Sequence, residues 1–148
     1  YKNGFKLKLS SVLRNPTSMM TYLKALSYNE NLYEYNKANK EGFNEVVFLN
    51  IYGNIAEGAT SNIFIIKDKK IYTPKISDGI LPGVVRNWVI KNFKVCEKHL
   101  DKEDLYSADE VFITNSILGI MKIVQFEERS YSTSMVERIR SEYEQFII

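Results

Sequence analysis

The sequence has little of the chemistry that metal centres and disulfides require, with one cysteine, Cys96, and one histidine, His99, among 148 residues. These counts exclude a disulfide within the chain and a Cys-rich or Cys₂His₂ zinc site. We therefore expect no bound metal and a reducing, cytoplasmic location. The two residues lie among charged neighbours, without the tight glycine-containing turn that presents a nucleophile. This argues against a catalytic pair.

An excess of one charge sign and a long apolar run are also missing. Lys and Arg number 20 against 18 Asp and Glu, and this net charge of +2 does not indicate nucleic-acid or membrane binding. No apolar run approaches the roughly 20 residues that a membrane-spanning helix needs. Neither the G-x-x-x-x-G-K nor the G-x-G-x-x-G spacing of nucleotide sites occurs. We expect a small-molecule partner, without nucleic acid or membrane.

The composition that is present, 45% apolar and 26% charged, is typical of one folded domain. There is no internal repeat and no low-complexity tract. The chain starts at Tyr1 without an initiator methionine or signal segment, so we expect it to begin within a longer protein.

Alternating and continuous apolar runs predict strands. Phe5, Leu7 and Leu9 alternate as in a strand, and Asn15-Pro16 follows as a break. Hairpins are predicted over residues 46–57 and 62–73. Two later strands, 110–114 and 120–126, flank a polar turn over 114–119.

Apolar residues that recur every three and four positions predict helices. We expect helices over about 25–41, after a long Pro- and Gly-containing loop at 74–83, over 101–107, and from 134 towards the C-terminus. Asp101 is a predicted N-cap, and Ser134 and Glu137 have the capping-box spacing. The core-facing stripe of the first helix is predicted to be Ala25, Tyr28, Leu32, Tyr35 and Ala38.

Two ionisable residues have neighbours that suggest chemistry. Lys24 is flanked by Leu23, Ala25 and Leu26, and an amine in apolar surroundings loses its proton more readily, as a Schiff-base lysine must. Glu57 precedes a run of small residues that would let a flat ligand approach the backbone. Their alternatives are a surface lysine and a solvated acid at a strand end.

Two turns have the composition of anion sites. Residues 81–86, Leu-Pro-Gly-Val-Val-Arg, open a predicted helix, and residues 114–119, Thr-Asn-Ser-Ile-Leu-Gly, follow a predicted strand. Helix N-termini bind anions through unpaired N–H groups, and a serine hydroxyl beside free amides could complete a phosphate cup. Ordinary capping is the alternative for each turn.

Taken in order, eight stretches that cover the chain resemble the C-terminal part of the class IV aminotransferase family, the fold type IV pyridoxal-phosphate enzymes. The stretches are Tyr22-Leu23-Lys24-Ala25-Leu26, Gly42-Phe43-Asn44-Glu45, Asn54-Ile55-Ala56-Glu57-Gly58, Ser61-Asn62-Ile63-Phe64, Tyr72-Thr73-Pro74, Leu81-Pro82-Gly83-Val84-Val85-Arg86, Ala108-Asp109-Glu110-Val111-Phe112 and Thr114-Asn115-Ser116. The resemblance implies an α+β fold, a mixed sheet or pseudo-barrel with packed helices. It also implies that 1–148 is the domain that binds pyridoxal 5'-phosphate, with 1–20 as interdomain linker and first strand.

The same resemblance implies a role for each matching residue. Lys24 is the catalytic lysine that carries the cofactor, and Glu57 keeps the pyridine nitrogen protonated. Leu81 lies against the ring, and the phosphate is bound by the turn formed by Gly83, Val84 and Val85 together with Ser116 and Ile117. Asn62, Arg86 and Asn115 support these groups. The usual Ile-Thr of the phosphate turn is Val84-Val85 here, which removes a hydroxyl but keeps both amides.

Within this family, residues 114–121 are most similar to 4-amino-4-deoxychorismate lyases. The implied reaction releases pyruvate and 4-aminobenzoate, a step of folate biosynthesis. The alternatives are a branched-chain or D-amino-acid aminotransferase and a non-catalytic cofactor-binding or assembly fragment. Family members pair as homodimers and have a smaller N-terminal domain, which this sequence lacks, so we expect the same pairing and an incomplete site.

Overall fold

The computed structural model describes residues 2–23 and 28–148, and these residues form nine strands and four α-helices. The strands are β1 (Phe5–Arg14), β2 (Glu45–Asn50), β3 (Ile55–Gly58), β4 (Asn62–Lys67), β5 (Lys70–Thr73), β6 (Val95–Glu97), β7 (Glu110–Asn115), β8 (Gly119–Phe126) and β9 (Arg129–Ser130). The helices are α1 (Tyr28–Lys40), α2 (Val84–Asn92), α3 (Lys102–Ser107) and α4 (Ser134–Phe146). The predicted α+β class is confirmed, and both predicted hairpins form.

All the strands belong to one mixed sheet in the order β3-β2-β1-β8-β7-β4-β5-β6, with β9 paired to β8. The N-terminal strand β1 is central and runs parallel to both of its neighbours, β2 and β8. The sheet curls, so that its edge strand β3 contacts β4. In the short turn that joins these two strands, the Gly58 amide donates to the Ser61 carbonyl over 2.8 Å. This curl brings the ends of β3, β4 and β7 together.

The two faces of the sheet bury separate apolar cores. The alternating side chains of β4 and β7 place Ile63 and Ile113 on the inner face, where Leu100 and Leu105 cover them. On the outer face, Phe64 and Phe112 stack with ring centroids 4.7 Å apart beneath α2 and α4. Burial on both faces explains the uninterrupted apolar run that the sequence shows in β4.

The predicted stripe of α1 is wrong in part. Tyr28 and Leu32 are exposed, and Ala38 is buried as predicted. Glu34, which is not part of the predicted stripe, is buried as well. Glu34 tolerates burial because its carboxylate accepts the Ser10 hydroxyl at 2.8 Å, a partner from β1 that helical periodicity does not reveal. Residues 25–27 of the predicted helix lie outside the described residues.

The N-terminus of α4 is capped across the fold instead of by the predicted capping box. Thr133 is the N-cap residue, and its side chain caps nothing. The buried carboxylate of Glu110 accepts the amides of Met135 and Val136 at 3.0 and 2.9 Å and the Ser134 hydroxyl at 3.2 Å. In contrast, the predicted cap at Asp101 forms, with its side chain accepting the Asp104 amide.

Among the helices built from the described residues, none combines the length and the apolar character that a membrane crossing requires.

Candidate functional site

The candidate site lies where β3 and β7 end and where β4 and α2 begin. Asn62 and Thr114 face each other in the β4–β7 register, so their side chains share the sheet face that α2 covers. Glu57 precedes the short turn between β3 and β4. The long loop 74–83 returns to this edge of the sheet and places Leu81 and Gly83 beside Asn62.

Glu57 is the buried acid of the site, with 6% of its surface exposed. Its Oε2 accepts the Leu81 amide at 3.1 Å and the Asn62 side-chain amide at 3.3 Å. Its Oε1 lies 3.8 Å from Nη2 of Arg14. The strand-end position does not leave this acid solvated, which excludes the solvated-acid alternative.

The Glu57 carboxyl is balanced between its two protonation states. Burial raises its pKa to about 7, while the Arg14 charge and the Leu81 amide act in the opposite direction and the charge of Glu45 adds to the rise. Near neutral pH a small electrostatic change therefore decides whether Glu57 is ionised. A cationic ligand atom against this carboxyl would hold it in the charged form.

Arg14, which sequence reasoning missed, connects Glu57 to α1. Its Nη2 donates to Oδ1 of Asn31 at 2.7 Å, and its guanidinium lies over the Phe48 ring at 4.5 Å. It also lines a cavity of about 260 Å³ between the end of β1, a 3-10 turn at Met19–Tyr22 and Glu30 of α1. An arginine that ends a strand carries no sequence signal for this role, because the contact joins three separate segments.

Asn62 joins the acid to the start of α2. Its Nδ2 donates to the Leu81 carbonyl at 2.8 Å as well as to Glu57, and its Oδ1 accepts the Gly83 amide at 3.2 Å. A Cβ on Gly83 would lie 2.5 Å from that same Oδ1, so a side chain there would displace Asn62. The supporting role that the resemblance implies for Asn62 stays a prediction.

The N-terminus of α2 presents amides with no capping side chain. Gly83 is the N-cap residue, and no side-chain hydrogen bond caps the helix within the described ranges. The amides of Val84 and Val85 belong to the first turn, where N–H groups have no partner within the helix. Val84 is exposed and Val85 buried. This end of α2 is therefore competent to bind an anion.

In the turn that follows β7, the two residues predicted to bind phosphate, Ser116 and Ile117, differ in their contacts. Oδ1 of Asn115 accepts the amides of Ile117 and Leu118 at 3.0 and 2.7 Å, and its Nδ2 donates to the Thr60 carbonyl at 3.2 Å. The Ile117 amide is thus already paired, and its side chain is 89% exposed. Ser116 is exposed at the tip and is the residue of this turn best placed to donate to a ligand.

Arg86, in α2, contacts two segments next to the candidate site. Its side chain is buried, and its Nη2 donates to the Pro74 carbonyl at 3.1 Å and to Glu97 at 2.6 Å. These contacts fix the loop 74–83 to α2 and to β6, a strand that the sequence did not predict.

Lys24 lies outside the described residues, so its predicted role rests on the sequence. The described segments on both sides of it are connected to the site. Thr21 packs against the position of Gly79, and Asn31 of α1 donates to the Ala59 carbonyl at 3.0 Å.

A family model described as amino-transferase class IV matches residues 1–126, and the chain belongs to this family. The curated aminodeoxychorismate lyase of Bacillus subtilis is 36% identical over 88% of this chain and 46% of its own length. The branched-chain-amino-acid aminotransferase of Pseudomonas aeruginosa is 33% identical over 86% of this chain and 44% of its own.

A solved structure shows the same fold. The crystal structure of an aminotransferase from Brucella abortus, bound to the co-factor PLP, superposes with a TM-score of 0.88 at 30% identity, over 97% of this chain and 54% of that one. The family resemblance seen in the sequence is thereby confirmed. The chain spans about half the length of the curated relatives it matches.

Proposed function

We propose that residues 1–148 form the domain of a class IV enzyme that binds pyridoxal phosphate and carries it on Lys24. The observation that supports this most directly is the hydrogen-bonding of Asn62, which joins a buried carboxyl to an uncapped helix N-terminus. Pyridoxal phosphate has the complementary pair of groups, a protonatable ring nitrogen and a phosphate. The site residues therefore fit this cofactor at both ends.

The chain's own residues have distinct tasks in this proposal. Glu57, in its ionised form, pairs with the protonated ring nitrogen, and Arg14 supports that charge. The amides of Val84 and Val85 and the hydroxyl of Ser116 bind the phosphate. Leu81 would lie against the ring, and Gly83 would let the backbone approach the phosphate. Asn62, Arg86 and Asn115 hold these groups in place.

The proposed reaction depends on the chemistry of the cofactor and on the amine of Lys24. When bound, pyridoxal phosphate supplies an electron sink for electrons released at the substrate α-carbon. The amine of Lys24 would remove the substrate α-proton and later return a proton. Glu57 sustains the sink by keeping the ring nitrogen cationic.

For the substrate, we favour 4-amino-4-deoxychorismate, which is cleaved to 4-aminobenzoate and pyruvate for folate biosynthesis. The residues of the turn 114–121 and the 36% identity to the Bacillus subtilis lyase support this reading. A branched-chain aminotransferase is the second candidate, supported by the similarity to the Pseudomonas aeruginosa enzyme. Both use the same cofactor and the same Lys24.

The whole protein is proposed to be a cytoplasmic homodimer, as expected from the family. In that assembly, a smaller N-terminal domain would complete the substrate pocket beside residues 1–148. Symmetric homodimers are the commonest soluble oligomers.

Borohydride reduction of the full-length protein mixed with pyridoxal phosphate, followed by peptide mapping, tests the cofactor proposal. A pyridoxyl group on Lys24 is the expected result, with no labelling of a Lys24→Ala variant. An unlabelled wild-type chain would overturn the cofactor proposal and favour a non-catalytic assembly domain.

The lyase proposal is tested separately by substrate. Release of 4-aminobenzoate from 4-amino-4-deoxychorismate supports the lyase. Amination of 2-oxoisocaproate without release of 4-aminobenzoate would instead establish the aminotransferase.

A further inference from the structure

Glu45, at the start of β2, is buried with 1% of its surface exposed and takes no part in the proposed chemistry. Its two carboxylate oxygens accept five hydrogen bonds. Oε1 accepts the amides of Val46 and Ala59 at 2.8 and 3.2 Å. Oε2 accepts the amide and hydroxyl of Thr60 at 3.3 and 2.9 Å and the Ser61 hydroxyl at 2.9 Å.

Burial raises the pKa of Glu45, and the hydrogen bonds from Val46, Thr60 and Ser61 act against that rise by stabilising the ionised carboxylate. Four of the five donors belong to residues 59–61, the turn between β3 and β4. A Cβ on Gly58 would lie 2.3 Å from the Ser61 hydroxyl and 3.0 Å from Oε2 of Glu45, so the turn closes directly onto the carboxylate. Glu45 therefore fixes the path of this turn.

The turn 59–61 adjoins three parts of the candidate site. Glu57 precedes it and Asn62 follows it directly. The Ala59 carbonyl accepts Asn31 of α1, and the Thr60 carbonyl accepts Asn115 of the turn that carries Ser116. The acid, the support of the α2 N-terminus and the Ser116 turn thus share one anchor.

We infer that Glu45 is a positioning residue for cofactor binding, acting through the turn 59–61 on Glu57, Asn62 and Asn115. This inference rests on the proposed function. Loss of the Glu45 carboxylate should loosen the turn and so misplace Glu57, Asn62 and Asn115.

Glu110 offers a matched control. It is also a buried carboxylate that accepts three donors from a neighbouring segment, but that segment is the start of α4, away from the turn 59–61. A Glu→Gln change at either position places an amide group against fixed N–H donors. Both variants should lose stability, whereas only Glu45→Gln should affect the site.

The experiment measures the dissociation constant of pyridoxal phosphate by absorbance for the full-length protein. Glu45→Gln should raise the constant at least tenfold, and Glu110→Gln should change it less than twofold. Amide hydrogen exchange at residues 59–61 should accelerate in Glu45→Gln and stay at the wild-type rate in Glu110→Gln. A Thr60→Val/Ser61→Ala variant, which keeps Glu45 but removes two of its donors, gives the same comparison if Glu45→Gln does not fold.

The two proposals fail in different ways. A wild-type protein that binds no pyridoxal phosphate overturns the proposed function. Equal dissociation constants and equal exchange rates in the wild type and the Glu45 variant, beside a wild type that does bind, overturn the role of Glu45 alone.

Discussion

The side-chain amide of Asn62 donates to the carboxylate of Glu57 over 3.3 Å, and both side chains are buried. This bond gives Glu57 a polar partner in a place where burial would otherwise favour its neutral form. Through the same Asn62, the acid is connected to the amide of Gly83 at the start of α2. A substitution at Glu57 should therefore affect the start of α2, and a substitution at Gly83 should affect Glu57.

The first prediction concerns pH and stability without cofactor. The pKa of Glu57 rises from an ordinary 4.5 to about 7 on folding. Between these values the folded protein holds a proton that the unfolded chain has released, so stability falls as pH rises through this window. The full cost, reached above pH 7, is about 3 kcal/mol.

Glu57→Gln should remove this pH dependence and make the cofactor-free protein more stable than the wild type at pH 8. Urea unfolding of both proteins at several pH values between 4.5 and 8 measures the difference. Parallel stability curves for the two proteins would contradict the prediction. The same variant should bind pyridoxal phosphate more weakly, because the ring nitrogen loses its charged partner.

The second prediction concerns the contact between Gly83 and Asn62. Gly83 has φ −69° and ψ 153°, which alanine adopts without strain, so in the folded protein Gly83→Ala acts through the Cβ that would meet Asn62. Alone, it should destabilise the protein and weaken pyridoxal phosphate binding. In an Asn62→Ala background the added Cβ has no atom to displace, and its effect should largely vanish.

A double-mutant cycle of unfolding free energies measures this coupling, which should be roughly 1 kcal/mol or more. The dissociation constants of the four proteins should show the same pattern. Additive effects would show that the two residues act independently.

The third prediction separates the phosphate from the rest of the cofactor. Ser116→Ala removes a hydroxyl donor from the exposed tip of the turn after β7, and it should weaken pyridoxal phosphate binding about tenfold. Pyridoxal, which lacks the phosphate, should bind the variant and the wild type equally. Ser132→Ala, in an exposed segment before α4, is the matched control and should change neither constant.

Local patterns predicted much of the fold. The hairpins were predictable because apolar runs and turn residues are encoded next to each other, as in Asn62–Lys67 and Lys70–Thr73. The short strands β6 and β9 were missed because each is only two or three residues long and depends on its partner strand. The α1 stripe was misjudged because Glu34 is buried by a bond to Ser10 in another element.

The residues of the candidate site also fall into two groups, those marked by a local motif and those that depend on contacts between distant segments. Asn62 and Gly83 belong to motifs that the sequence displays, and the structure joins them to Glu57. Arg14 and Glu45 were given no role, since their partners lie in distant segments. Glu45 ends the matching stretch Gly42-Phe43-Asn44-Glu45, but that motif does not show its contact with the turn 59–61. Ile117 was predicted as a phosphate residue from its motif, but the pairing of its amide with Asn115 depends on local geometry that composition does not specify.

The central place of β1 determines when the protein can fold during its synthesis. Phe5 pairs with Ile123, so the first strand must wait for more than a hundred later residues before its second neighbour has left the ribosome. Until then one edge of β1 has no native partner and is open to association with other nascent chains. Such distant pairing slows folding, and we expect this chain to depend on chaperones more than a helical protein of equal length.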